Sequence, residues 1–172
     1  MDWASIHVFG DAVRAVAAAF PDKPALVGEG HSLTFKDIDV RMNRLANGLA
    51  ELGVQPGERV AVLARNRPEA FEVYGASKAG LIVLPLNWRL ARDELLHPLT
   101  DGEPTVILAA PEFADLIDAM RPQLAFEANP AGRRMGVIEV RRLAVKTFAA
   151  VLLFVSSCRQ TDVRLLCCLA FL

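Results

Sequence analysis

Residues 66–101, NRPEAFEVYGASKAGLIVLPLNWRLARDELLHPLTD, decide the fold. Pro68 sits where a helix can open, because the amides of a first helical turn have no intrahelical partner and a missing one costs nothing. The helix it opens carries Phe71, Tyr74, Ser77 and Lys78 towards Gly80. Residues 81–86 are a short apolar run suited to a strand, and residues 92–96 (RDELL) start a second helix. His97-Pro98 falls inside that helix, where a proline is expected to end or kink it early.

The pattern extends in both directions. Residues 59–64 (RVAVLA) form an apolar strand suited to cover on both faces, residues 105–109 a third strand, and residues 112–120 an amphipathic helix. The alternation of strand and helix calls for an α/β fold with a parallel βαβαβ sheet and right-handed crossovers. Upstream, residues 7–20 place Phe9, Val13, Val16 and Phe20 on one helical face, stopped by Pro21-Asp22-Lys23-Pro24. Residues 25–28 and 32–35 flank Glu29-Gly30 and read as a β-hairpin.

Thr34-Phe35-Lys36-Asp37 has the form of a capping box, a hydroxyl that accepts from an orphan amide and an acid three residues on. Behind it Ile38, Met42, Leu45, Leu49 and Leu52 recur at helical spacing, and Gly53 supplies a left-handed stop. The polar residues of this helix, Asp39, Arg41, Asn43 and Glu51, fall on its other faces and are expected to be solvated.

Four segments resemble, in order, the N-terminal lobe of the adenylate-forming (AMP-binding) acyl-CoA synthetase superfamily. They are PDKPAL (residues 21–26), LTFKDI (33–38), GVQPGERV (53–60) and SKAGLIVLPLN (77–87). The resemblance covers roughly residues 9–120, and the variant Asn87-Trp88-Arg89-Leu90 looks most like the fatty-acyl and aryl acid–CoA ligase branches. In that family a carboxylate attacks the α-phosphorus of ATP, giving an acyl-adenylate, and a thiol then displaces AMP. The full-length family uses ATP, magnesium and coenzyme A.

The matching segments are scaffold in the family. The Ser/Thr/Gly-rich phosphate loop with its lysine does not occur here, nor does a G-x-x-x-x-G-K-[ST] loop. The acid that holds magnesium, the aspartate that grips the ribose and the small C-terminal domain with its catalytic lysine lie, in the family, beyond the matching part. The resemblance therefore carries over no catalytic, cofactor-binding or metal-binding residue. The reading it implies is an incomplete lobe, a truncated fragment inactive alone and binding no cofactor by itself. Its partner would be the missing remainder of the ligase. An isolated lobe is also expected to expose a sheet edge and apolar helix faces, and so to be poorly soluble or stable only with a partner.

Read for themselves, several residues invite chemistry. Lys78 beside Gly80 could hold a phosphate, although a place in a helix-ending packing motif accounts for it better. Gly28-x-Gly30 could be a nucleotide loop, but no helix follows it directly and a hairpin turn is the simpler reading. His7, His31 and His97 are scattered, without acids or cysteines at ligand spacing. Trp88 and Arg89 could line a route to a substrate or anchor a loop through a buried indole. Cys167-Cys168 could be a redox, lipidation or metal pair, and reads more simply as incidental.

Composition changes near residues 125–134. Residues 1–130 carry 12 basic and 18 acidic residues, and residues 131–172 carry 7 and 2. Cys158, Cys167 and Cys168 all lie in the second part, while the last proline is Pro130 and the last glycine Gly136. Residues 1–130 are thus expected to be the partial lobe, and residues 131–172 an unrelated or frame-shifted tail, apolar, basic and poorly ordered. The net charge of −1 argues against a nucleic-acid partner. No basic and apolar leader is apparent, and the absence of cysteine from residues 1–130 fits a cytoplasmic protein. The run TFAAVLLFVSSC (residues 147–158) is short of the roughly 20 residues that span a bilayer. It leaves a membrane-surface role for the tail, or complementation by a separate chain, as the alternatives.

Overall fold

The computed structural model describes residues 3–28 and 31–124, and the backbone of three strands beyond them, at residues 136–139, 152–154 and 166–167. The chain divides into two compact units, residues 1–58 with 66–83, and residues 59–65 with 84–172.

In the first unit, helix α1 (Phe9–Ala19) leads to the hairpin strands β1 (Pro24–Gly28) and β2 (His31–Thr34), which pair antiparallel. Helix α2 (Phe35–Glu51) follows at once, and Thr34 caps it. The Thr34 hydroxyl accepts from the Asp37 amide at 3.1 Å, and the Asp37 carboxylate accepts from the Thr34 amide at 2.9 Å. The Thr34 amide, and after it the Thr34 hydroxyl that also donates to this carboxylate, hold the Asp37 carboxyl below the usual aspartate range. The helix buries Ile38, Met42, Ala46 and Leu49, and it ends at Gly53, whose φ of 84° only glycine adopts freely.

Helix α3 (Pro68–Glu72) runs into a 3₁₀ segment, Val73–Ala79, where a continuous helix is expected from the sequence. Gly75 explains the tight spacing. A Cβ placed there would lie 2.4 Å from Met42 Cβ and 2.9 Å from Met42 Cα, so α2 and the 3₁₀ segment touch backbone to backbone. Gly80 then turns left-handed (φ 73°), and its carbonyl accepts from Gly57 at 2.8 Å.

Helix α1 departs from its expected face. It buries Gly10, Val13 and Ala17, while Phe9 and Phe20 are 43% and 53% exposed. The rotation follows from Gly10, where a Cβ would lie 2.2 Å from Lys78 Cγ; the glycine lets that stem pass. Phe9 packs instead in an aromatic trio with Phe71 and Tyr74, at centroid distances of 5.4 and 5.6 Å.

The sheet contains β3 (Arg59–Leu63), β4 (Ile82–Pro85) and β5 (Val106–Ala109), in the order β4-β3-β5. β3 and β5 run parallel, with Val60 beside Val106 and Leu63 beside Ala109. β4 runs alongside β3 in the same sense, Ile82 donating to the Glu58 carbonyl and Leu86 to that of Val62, each at 2.9 Å. This is the parallel βαβαβ order expected from the sequence. Val60 to Leu63 and all of β5 are buried, whereas β4 stands at the edge with Ile82 49% exposed.

In the second unit, helix α4 (Arg92–Gly102) packs Leu95 and Leu99 into a core with Ala61, Leu63, Leu86, Ile107 and Ala109. A 3₁₀ turn, Pro111–Phe113, and helix α5 (Ala114–Met120) add Phe113, Ile117 and Met120 to the same core. Of the two outcomes expected at Pro98, an end or a kink, the end does not occur, and α4 runs on to Gly102. Leu95 and Leu99 lie fully buried on either side of it, so packing carries the helix across the lost hydrogen bond.

Strand β6 (Gly136–Glu139) continues the sheet parallel to β5, and β7 (Leu152–Phe154) and β8 (Leu166–Cys167) follow antiparallel. The expectation of an unrelated, poorly ordered tail over residues 131–172 otherwise falls outside the described residues.

Two glycines separate packing from propensity. Gly75→Ala drives a methyl into Met42 and is expected to cost about 1–3 kcal/mol. Gly48→Ala, in α2 with nothing within 4 Å of the added Cβ, is expected to stabilise by up to about 1 kcal/mol. Urea denaturation of both variants checks the pair, and equal effects would contradict the close approach at Gly75.

Candidate functional site

The polar residues of α2 are the first place where the fold spends chemistry. Asp39, Arg41 and Asn43 are not simply solvated. Arg41 Nε donates to Glu72 Oε1 at 2.5 Å, and Lys78 Nζ donates to the Asp39 carboxylate and, at 2.8 Å, to Asn43 Oδ1. The reason is the Gly75 approach, which brings α3 and the 3₁₀ segment within side-chain reach of that face.

Lys78 is thereby committed. Its side chain is 10% exposed, its stem passes Gly10, and its ammonium is held by Asp39 and Asn43. Next to it, the Ser77 hydroxyl accepts from the Gly10 amide at 3.2 Å and donates to the Tyr74 carbonyl at 2.8 Å. These groups tie α1 and α2 to the 3₁₀ segment.

Among the described residues Glu72 is a buried charge, with 7% of its side chain exposed against 25% for Arg41. Burial pushes its carboxyl above the usual glutamate range, and the Arg41 hydrogen bond and charge offset part of that rise. Removing one member of such a pair leaves the other charge buried without compensation.

The other expected candidates are dispersed. His7 lies before α1 and His97 within α4; His31 opens β2, and Gly28 closes β1 with Gly30 outside the described residues. The hairpin is present, β1 and β2 being paired. Cys167 lies in β8, and Cys158 and Cys168 fall outside the described residues. Among the described residues no group of three or more His, Cys, Asp or Glu could hold a metal ion. No helix among them is long and apolar enough to cross a membrane.

Trp88 and Arg89 do come together, with a third residue that the sequence did not single out. Arg65 follows β3, and Trp88 and Arg89 follow β4, so all three stand beyond the carboxyl ends of neighbouring parallel strands. The Trp88 indole is half-buried against the second unit's core. The guanidinium carbons of Arg65 and Arg89 lie 4.8 and 4.3 Å from its ring centroid. Asn87 Oδ1 accepts from the Arg89 amide at 3.1 Å and fixes the turn that presents them.

The family model described as AMP-binding enzyme matches residues 13–150, and the chain belongs to that family. A fatty acid–[acyl-carrier-protein] ligase of Streptomyces coeruleorubidus, ScoC, is 34% identical over 101 residues, covering 58% of this chain and 20% of the relative. A feruloyl-CoA synthase of an Amycolatopsis species is 40% identical over 101 residues, covering 58% and 21%. Among solved structures, the N-terminal domain of FACL13 from Mycobacterium tuberculosis superposes with a TM-score of 0.69 at 32% identity, covering 78% of this chain and 34% of that one. A Mycobacterium tuberculosis fatty acyl CoA synthetase gives 0.64 at 34% identity, covering 67% and 24%. The chain spans about a fifth of the length of these curated relatives. The alignment with such ligases and the parallel sheet agree with the lobe read from the sequence.

The buried pair sets a pH dependence. Glu72 ionises at a higher pH in the fold than in the unfolded chain, so between those two values the native state binds more protons and stability falls as pH rises. Glu72→Gln removes this titration. The stability of the parent relative to that variant is expected to decline with rising pH in the window just above the ordinary glutamate range, then to level off. Denaturation curves across that window check it, and a relative stability that climbs with pH would contradict the burial argument.

Proposed function

We propose that this chain supplies the N-terminal scaffold of an AMP-forming ligase for a fatty or aryl carboxylic acid, and that these 172 residues do not activate an acid by themselves. The observation that carries the first half is the family match over residues 13–150, together with relatives named for fatty-acid and feruloyl ligation. Activity in such a ligase would proceed through an acyl-adenylate, with coenzyme A or a carrier-protein thiol as acceptor.

The second half rests on what the residues are used for. Acid activation needs groups that neutralise a triphosphate and its metal. Lys78 is bound to Asp39 and Asn43, Glu72 is paired with Arg41, and the glycines at Gly75 and Gly80 serve packing and a turn. No Ser/Thr/Gly-rich phosphate loop occurs in the sequence. The partner this reading requires is the remainder of the ligase, which would bring the ATP, magnesium and thiol sites.

ATP–pyrophosphate exchange tests both halves, with a long-chain fatty acid and ferulic acid as substrates. The chain alone is expected to give background exchange. Co-expression with the downstream part of a related ligase is expected to give exchange with one of the two acids. Exchange by the purified chain alone would overturn the claim of dependence. Silence of every combination, beside an active full-length relative as control, would remove the ligase role.

A further inference from the structure

β4 stands at the edge of its sheet, and an edge strand is a template for another strand unless its outward backbone groups are occupied or missing. Successive residues of a strand turn their N–H and C=O groups to opposite sides. Ile82 and Leu86 bond to β3, so Leu81, Val83 and Pro85 turn theirs outward. Two of those three positions offer no free amide. Pro85 has no N–H, and the Leu81 amide donates to the Ala76 carbonyl at 3.3 Å. Among the described residues, the outward donor that remains on β4 is Val83.

From this we infer that the outer edge of β4 is closed to strand addition, with Pro85 as its guard, and that the occupant it turns away is a second copy of this chain. In an antiparallel pair, facing residues exchange two bonds, one N–H to C=O in each direction. A two-fold pairing of two β4 edges sets Val83 against the second copy's Val83 and each Leu81 against a Pro85. The central pair can exchange both bonds. The flanking pairs exchange none, because Leu81 has its donor engaged within its own chain and Pro85 lacks one. Their carbonyls would leave water unmatched, which costs more than the central pair returns. Sliding one strand along the other changes which residues meet and supplies no further donor.

The side chains of β4 alone argue for the opposite behaviour. Its first three residues, Ile82, Val83 and Leu84, are apolar and favour extended backbone, and Ile82 is 49% exposed, as in segments that pair edge to edge. The backbone overrules them. Gly80, with φ of 73°, turns the end of the 3₁₀ segment so that Leu81 reaches back to Ala76, and a proline ring closes the other end of the strand. The guard is built from backbone bonds and one ring, and it stands independently of the ligase reading.

The test uses the full chain with Cys158, Cys167 and Cys168 replaced by serine and a single nitroxide spin label, carried by Ile82→Cys on the exposed side of β4. Two copies paired at Val83 would bring the labelled backbone positions to on the order of 10 Å, within dipolar range. This parent is expected to give an unbroadened spectrum. Adding Pro85→Val restores an outward amide and gives each flanking pair one bond. That chain is expected to show dipolar broadening and, by sedimentation, self-association at least tenfold tighter than the parent. A label carried instead by Glu51→Cys, exposed at the end of α2, is expected to stay unbroadened in both chains. Broadening of the parent at residue 82 overturns the inference, as does a Pro85→Val chain that associates no more tightly than the parent. Broadening at both label positions, the mark of unspecific aggregation, overturns it as well. If Pro85→Val does not fold, Pro85→Ala restores the same amide and is read in the same way.

Discussion

The bond from the Gly57 amide to the Gly80 carbonyl, 2.8 Å long, is the constraint on which the sheet's arrangement rests. Both glycines have positive φ, 85° and 73°, conformations that cost most other residues. Gly80 ends the 3₁₀ segment and Gly57 ends the turn before β3, so one hydrogen bond joins the two points where chain enters neighbouring strands. A Cβ at Gly80 would lie 3.2 Å from Pro56 Cβ, which leaves little latitude in the approach. The register that follows, Ile82 to Glu58 and then Leu86 to Val62, sets where β4 stops and where the turn at Asn87 begins.

Consequences of that register appear at the far ends of the same strands. Because β3 and β4 run in the same sense, their last residues emerge side by side, Arg65 from one and Trp88 from the other. A slip of one residue in a strand would reverse the faces of its side chains. It would take Leu86 out of the core it shares with Leu63 and Leu95, and with it the anchor for the indole. The cluster of two arginines on one tryptophan is thus a product of strand pairing, not of any local motif.

What the sequence discloses and what it hides divide along the same line. The capping box at Thr34 and Asp37, the apolar spacing of α2 and the alternation that demands a parallel sheet are local or periodic properties, and each is present in the structure. Contacts that depend on how closely two elements approach are not legible this way. Asp39, Arg41 and Asn43 look like a solvated face until Gly75 lets the 3₁₀ segment come against Met42. The face of α1 is misjudged for a related reason: counting apolar residues favours Phe9 and Phe20, whereas the close approach occurs at Gly10, which has no side chain to count. Pro98 reads as a helix stop because propensity is local, and Leu95 and Leu99 outweigh it through burial. Arg65 escapes notice because it is 23 positions from Trp88 and belongs to no recurring segment.

The same contrast separates fold from activity in this family. A fold is kept by apolar periodicity, turns and close approaches, all of which can be satisfied without a reactive group. In the first unit the charged residues have been drawn into that task. Lys78 and Arg41 hold α2 against its neighbour, and Glu72 remains acceptable inside only because Arg41 reaches it. A cation bound in this way can take up a phosphate only by giving up its acid, which would leave that carboxylate short of its partner and loosen the helices it joins. Arg65 and Arg89 stand outside that network and lie against the Trp88 ring instead.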